Sequence, residues 1–162
     1  MYGLKIRFNL VSVVVAVVIN IAQGHAGTLL SLSNKTYTLT FQGVPGEFHF
    51  YIDTAGRVFQ YAREPCASVG SFAKLNASNR GQFSCPNGPG LVSYTAMATL
   101  SGSTITYERS ADVRSNTGAL THSTWRWVFS TDGDRCDAIP VLFNNQSFAA
   151  ISCKVRAGRP PR

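Results

Sequence analysis

The chain lacks every short motif that would assign a reaction to it. Its 162 residues contain no nucleophile elbow, no zinc-binding helix motif and no phosphate-binding glycine loop. Beyond the first residues, no window repeats apolar side chains with the period of a helix, which argues against a helical bundle. The close CxxC spacing of zinc sites is also missing, so we predict neither a bound metal nor any other cofactor. We therefore expect a protein that is not an enzyme.

The amino-terminal segment has the features of an export signal. Lys5 and Arg7 precede an apolar run at residues 10–22, and a small residue, Ala26, follows. This order is typical of a secretory signal peptide, and the apolar run is too short for a comfortable transmembrane helix. We predict that residues 1–26 are a signal peptide, that the mature chain has no transmembrane span, and that the protein is periplasmic or secreted.

Alternation of apolar and polar side chains predicts β-strands in most of the remaining chain. The clearest hairpin lies at residues 51–61, where we expect Gly56 to adopt a left-handed turn conformation. Seven or eight strands with short turns predict an all-β domain over residues 27–153, a single antiparallel meander that forms a barrel or a sandwich. The longest stretch without this alternation is at residues 64–90, where we expect an irregular loop.

Four cysteines in an exported chain predict two disulfides. If Asn144 and Asn145 are the central residues of a tight turn, Cys136 and Cys153 face each other across a hairpin. This is one of the connectivities that four cysteines allow. It pairs the other two cysteines across the irregular loop, and these are Cys66 and Cys85.

The charge balance of the mature chain is basic. Without Lys5 and Arg7, 13 basic side chains remain against 8 acidic ones. Several of the basic residues fall in the last nine positions beside two prolines, which predicts a basic mobile tail at residues 154–162. Such a tail attracts polyanions. We expect the partner to be an anionic envelope polymer or another protein, and nucleic acid is not favoured.

Aromatic and arginine side chains on the predicted strands are the candidate ligand contacts. Rings such as Tyr51 and Phe59 are suited to line a cavity or to stack on sugars or bases, whereas the alternative is that they form the core of a small β domain. Neighbouring arginines are suited to bind an anion. The candidate contacts are Arg57, Tyr61, Arg63, Trp125, Arg126 and Trp127.

An enzymatic alternative depends on where the signal peptide is cleaved. Cleavage after Gly24 would make His25 the amino terminus, and its amine and ring nitrogen are good copper ligands. His49 or His122 would then complete a site of the kind found in copper oxygenases that act on polysaccharides. Cleavage after Ala26 would remove His25.

One set of residues has the types found in a serine hydrolase. Ser123, His122 and Asp112 supply a nucleophile, a base and an orienting acid. They form no recognised motif, and almost any serine-rich chain offers such a set, so we assign no catalytic role to them.

Three segments resemble a known group of proteins. They are residues 51–59, residues 100–107, and residues 128–138 with Cys136. These turn and strand sequences are similar to those of small exported proteins of unknown function from rhizobia-type alphaproteobacteria. The resemblance implies a location in the bacterial envelope or outside the cell, and it implies no activity.

Overall fold

The computed structural model describes residues 29–61, 69–85 and 90–160, which form a helical turn at residues 29–32 followed by β-strands. The strands are β1 Lys35–Phe41, β2 Val44–Ile52, β3 Arg57–Tyr61, β4 Val69–Lys74, β5 Ala77–Cys85, β6 Gly90–Ser101, β7 Thr104–Arg114, β8 Leu120–Thr131, β9 Cys136–Phe143, β10 Gln146–Phe148 and β11 Ala150–Ala157. Within these ranges no helix is long and apolar enough to cross a membrane.

The strands form two antiparallel sheets. Sheet A has the order β11-β1-β2-β3-β4, and sheet B has the order β10-β9-β8-β7-β6-β5. Neither sheet closes on itself in the described part of the chain. Of the two predicted architectures, the all-β fold therefore takes the form of a sandwich rather than a barrel.

The inner faces of the two sheets share one aromatic core. The Phe50 ring of sheet A lies 5.4 Å from the Tyr107 ring, 5.4 Å from Trp127 and 5.8 Å from Phe129, all centroid to centroid, and these three rings belong to sheet B. All four side chains are 0% exposed. Buried aromatic rings contribute the largest apolar areas in a core, so this cluster holds the two sheets together.

The hairpin at residues 51–61 is confirmed. Phe50 pairs with Gln60 and Ile52 pairs with Val58, and these residues point inward. Gly56 has a φ of 73°, the left-handed conformation that the sequence predicted.

The predicted irregular loop at residues 64–90 is wrong for much of its length. It contains β4 and β5, which help to raise the number of strands in the described residues to eleven, not seven or eight. The inward side chains of β4 are the small residues Ser71 and Ala73, and Gly81 of β5 lies under the ring of Tyr94. Because these inward positions are small, the two strands lack the apolar alternation that marks the others.

The Cys136–Cys153 pairing is confirmed, but the reason given for it is wrong. Asn144 and Asn145 do form the turn between β9 and β10, with φ of 45° and 65°. The chain then leaves sheet B, and β11 pairs with β1 in sheet A. The disulfide therefore joins the two sheets, with 5.4 Å between its Cα atoms, rather than neighbours in one hairpin.

The second predicted disulfide and the signal peptide lie outside what the structure describes. Cys66 falls in the gap at residues 62–68, and of Cys85 only the backbone is described. Residues 1–26 precede the first described position.

The boundary of the predicted mobile tail is corrected. Lys154 and Arg156 belong to β11. This strand pairs with β1, from Ala157 opposite Lys35 to Ala150 opposite Phe41. The Gly158 N–H then donates to the Asn34 carbonyl at 2.8 Å. The β domain therefore continues past Cys153, because the segment is bonded along one edge of sheet A.

Candidate functional site

The outer face of sheet A carries three aromatic rings side by side. Tyr51, Phe59 and Phe72 lie on β2, β3 and β4 as direct cross-strand partners. The ring centroids of Tyr51 and Phe59 are 6.2 Å apart, and those of Phe59 and Phe72 are 5.5 Å apart. Phe59 and Phe72 are partly exposed, whereas Tyr51 is 7% exposed. We call these three residues the aromatic row.

The turn between β2 and β3 fixes the middle of this row. The Asp53 Oδ1 atom accepts hydrogen bonds from the backbone N–H groups of Ala55, at 3.0 Å, and Arg57, at 2.9 Å. Its Oδ2 atom accepts a bond from Arg57 Nε at 2.7 Å. Held in this way, the Arg57 guanidinium lies 5.5 Å from the centroid of the Phe59 ring, within cation–π range.

The pKa of Asp53 reflects this arrangement. Burial alone would raise the pKa of this carboxyl group. The hydrogen bonds from the Arg57 backbone and side chain, the charge of Arg57 and the bond from Ala55 together outweigh burial and lower the pKa below its usual value. Asp53 is therefore ionised at neutral pH and holds Arg57 in place.

Cations surround the aromatic row. Arg57 and Lys74 are cross-strand partners beside Phe59 and Phe72, two residues along β3 and β4, and Arg156 lies beyond the Tyr51 end of the row, across Thr36. The guanidinium of Arg159 lies 5.4 Å from the centroid of the Tyr51 ring. Lys154 projects from the same face of β11 as Arg156, since the two are separated by one residue. We call the aromatic row together with Arg57, Lys74, Lys154, Arg156 and Arg159 the basic face.

His49 lies on the same face but adds little charge. Its Nδ1 atom is 2.9 Å from Thr38 Oγ1, and its Nε2 atom is 3.8 Å from the Glu47 carboxylate. Burial lowers the pKa of His49, and the nearby Glu47 only partly opposes that effect. The ring is therefore neutral at pH 7, and the positive charge of the face comes from its arginine and lysine residues.

The structure does not bring the six candidate contacts together. Arg57 and Tyr61 lie on the outer face of sheet A, and Arg63 falls outside the described residues. Trp127 is fully buried, and Trp125 is stacked on it with 5.1 Å between ring centroids. These two rings belong to the core, as the alternative interpretation held.

The sixth candidate, Arg126, lies on the outer face of sheet B. Its Nε atom is 3.3 Å from the Glu108 carboxylate on the neighbouring strand. It is therefore a surface ion pair, remote from the aromatic row.

Sequence reasoning missed Phe72 and Lys74. Both lie in β4, inside the interval that was predicted to be irregular. A signal was available, because Phe72 and Lys74 alternate with the small residues Ser71 and Ala73. This alternation is the reverse of the usual one, because the large side chains lie on the outer face and the small ones on the inner face. It therefore did not resemble an ordinary half-buried strand.

A second polar cluster lies on the outer face of sheet B. His122 Nδ1 is 2.7 Å from Asp112 Oδ1, and His122 Nε2 is 3.4 Å from Ser110 Oγ. The hydroxyl group thus comes from Ser110 and not from Ser123, which pairs with Ala111 on the other face of the sheet. The order of contacts is that of a hydrolase triad.

This cluster lacks the rest of a hydrolytic site. Its strand β7 is paired on both sides, with β6 and β8, so the backbone N–H groups bond within the sheet and offer no oxyanion hole. The side chains of His122 and Asp112 are 60% and 53% exposed, so solvent surrounds them. We assign no reaction to this cluster.

The copper alternative gains no support from the described residues. His25 precedes them. His49 lies on the outer face of sheet A, whereas His122 lies on the outer face of sheet B.

No family model, no curated protein and no solved structure matches the chain. The resemblance to small exported bacterial proteins therefore stays a prediction.

Proposed function

We propose that this protein is an exported, non-catalytic binding module and that the basic face of sheet A holds an anionic polymer, most simply an acidic glycan. The observation that carries the proposal is the aromatic row with Arg156 beyond its Tyr51 end, Arg57 and Lys74 beside it and Arg159 above it. Phe59 and Phe72 supply partly exposed apolar surface, and the cations supply partners for the acidic groups of a polymer.

The geometry suits an extended ligand that crosses the strands. The aromatic row runs from β2 to β4, a distance of about 10 Å at the usual spacing between neighbouring strands. Arg156 continues the line across β11 through Thr36. A polymer laid along this line would contact Phe59 and Phe72, reach Arg156 at one end and pass Arg57 and Lys74 at its side. Aromatic rings with an apolar face and a polar environment are suited to such a partly wet surface.

Export is supported by two features. The Cys136–Cys153 disulfide joins the two sheets, and disulfides of this kind persist in oxidising compartments such as the periplasm or the extracellular space. The sequence of residues 1–26 has the order of a signal peptide. The proposal therefore places the basic face where envelope polymers are found.

The test compares two variants that lose the same charge from different faces. K154Q/R156Q removes two cations from the basic face, and R114Q/R126Q removes two from the outer face of sheet B. Binding of polygalacturonate, an acidic glycan, is measured by titration calorimetry at two salt concentrations. We expect the first variant to lose about tenfold in affinity, at about 0.5–1 kcal/mol for each exposed cation, and the second to bind like the wild type.

A third variant tests the rings. F59S leaves the charge unchanged and should weaken binding at high salt, where screening removes much of the charge attraction. Equal losses in K154Q/R156Q and R114Q/R126Q would overturn the proposal, because they would show attraction to net charge alone. No measurable binding of the polymer to the wild type would overturn it as well.

A further inference from the structure

Two adjoining cavities open on the outer face of sheet B, each with a volume of about 410 Å³. The first lies over β5, β6 and β7, and its outward side chains on these strands are Arg80, Gln82, Ser93, Thr95, Ser110 and Asp112. The second lies over β7, β8 and β9, and its outward side chains there are Glu108, Ser110, Thr124, Arg126 and Leu142. Ser110 lines both cavities, so they meet at this residue, and we call them together the trough.

The strand register gives the trough its floor. Thr95, Ser110 and Thr124 are direct cross-strand partners on β6, β7 and β8. Their side chains are short, and longer side chains stand along the strands on both sides of this row. The trough reaches from β5 to β9, which is four strand spacings, or about 19 Å. It is therefore long enough for an extended ligand that crosses the strands.

Ion pairs position the carboxylates on either side of the floor. Asp112 Oδ1 lies 2.7 Å from His122 Nδ1 on one side, and Glu108 Oε1 lies 3.3 Å from Arg126 Nε on the other. The Asp112 and Glu108 side chains are 53% and 41% exposed. A carboxylate has two oxygen atoms with several lone pairs, so each of these groups keeps accepting positions for a ligand.

The charges of the trough cancel, in contrast to those of the basic face. Counted with neutral histidine, Arg80 and Arg126 supply two positive charges, and Glu108 and Asp112 supply two negative ones. A polyanion would meet both carboxylates, and such contacts between like charges are unfavourable. A neutral ligand rich in hydroxyl groups suits the trough better. Each hydroxyl donates and accepts, and the trough offers arginine donors, carboxylate acceptors and serine and threonine hydroxyls that do either.

An extended peptide fits the trough less well than a glycan does. Extended peptides bind sheets by adding a strand at an unpaired edge. The floor strands β6, β7 and β8 are each paired on both sides, so their backbone N–H and C=O groups bond within the sheet. What the trough offers a ligand is therefore its polar side chains, and these match the hydroxyl groups of a sugar.

We propose that the trough is a second binding site, for a neutral oligosaccharide. The hydroxyls of Thr95, Ser110 and Thr124 contact the sugar from below, and Asp112 and Glu108 accept hydrogen bonds from it at the sides. The trough and the basic face lie on opposite outer faces of the sandwich. The proposal therefore does not depend on the function proposed for the basic face, and one molecule has room for a neutral and an acidic polymer at the same time.

The first test screens the wild type against an array of neutral oligosaccharides of glucose, mannose, xylose, galactose and N-acetylglucosamine. The strongest ligand on the array is then titrated by calorimetry at low and high salt. We expect a dissociation constant that changes by less than about twofold with salt, because the ligand is uncharged. K154Q/R156Q, which changes the basic face, should bind this ligand like the wild type.

Two matched variants locate the binding. S110Y and T106Y both place a tyrosine on the outer face of β7, but Ser110 lines both cavities, whereas Thr106 lies four positions away and lines neither. S110Y should weaken binding by about tenfold or more, since the ring fills the point where the cavities meet, and T106Y should bind like the wild type. D112N, which removes the charge of an acceptor and keeps its shape, should weaken binding several-fold.

Circular dichroism checks that each variant folds. Equal losses in S110Y and T106Y would overturn the proposal, because they would place the ligand elsewhere. A loss in K154Q/R156Q would place it on the basic face and would overturn the proposal as well. So would the absence of binding to every neutral oligosaccharide on the array.

Discussion

The disulfide between the two sheets should account for a large share of the stability. Cys136 and Cys153 are 17 positions apart in the chain. In the chain-entropy model, a cross-link that closes a loop of this length stabilises the folded state by about 3 kcal/mol. The change in Tm for a given loss of stability depends on domain size. At about 3–4 °C per kcal/mol for a domain of this size, the loss corresponds to a fall in Tm of about 10 °C.

The variants to compare are C136S/C153S and C136A/C153A. Mutation is preferable to a reducing agent, which would also reduce the predicted Cys66–Cys85 disulfide. Urea unfolding, followed by tryptophan fluorescence, gives the free energy of unfolding of each. We expect both variants to lose about 3 kcal/mol and to agree within about 0.5 kcal/mol, because the lost cross-link and not the new side chain dominates. A loss below about 1 kcal/mol in both would refute the view that this bond holds the sheets together.

Three further changes test other parts of the fold. D53N should lower the free energy of unfolding by about 1–2 kcal/mol at pH 7. Because the folded state lowers the pKa of Asp53, this difference from wild type should be complete above the ordinary pKa of 3.8 and fade as pH falls below it. Urea unfolding at pH 7 and pH 3 measures the difference, and equal differences at the two pH values would contradict the prediction. F50A should lose about 3–5 kcal/mol in the same assay, since Phe50 packs at the centre of the aromatic core, and a loss under about 1 kcal/mol would contradict that placement. G81A places a Cβ 2.6 Å from the Tyr94 hydroxyl oxygen, so we expect a loss of about 1–3 kcal/mol, and a Tm unchanged from wild type would show that the ring is not held over Gly81.

Local features of the fold could be predicted from the sequence because local chemistry determines them. Strand alternation places Phe48, Phe50 and Ile52 on one face, and the structure buries all three. Gly56 and the pair Asn144–Asn145 adopt the left-handed conformations that their turns require. These features depend on neighbours a few positions away.

The division of the strands between two sheets could not be predicted, since it depends on contacts between distant segments. β11 follows β10 after one residue, yet it pairs with β1 at the other end of the domain. This crossing turns a predicted hairpin disulfide into a bond between sheets. It also turns a predicted basic tail into a strand that brings Arg156 into line with the aromatic row.

The candidate sites and the core depend on the same long-range contacts. Phe72 could not be recognised as part of a strand, because the inward side chains of that strand, Ser71 and Ala73, are small. Arg109 has the side chain of a surface residue, and only the packing of sheet A against sheet B shows that its Nη1 reaches Gln60. A charged residue at an inward strand position is not distinguishable, in sequence alone, from an ordinary interruption of the pattern.

The claim that the basic face binds an acidic polymer is tested most directly by mapping backbone amide shifts in NMR spectra during a titration with short oligogalacturonates. We expect the largest shifts at Tyr51, Phe59, Phe72 and Arg156, with the outer face of sheet B, including Arg126, unchanged. Shifts that cluster on sheet B, or that spread evenly over all basic residues, would contradict the account.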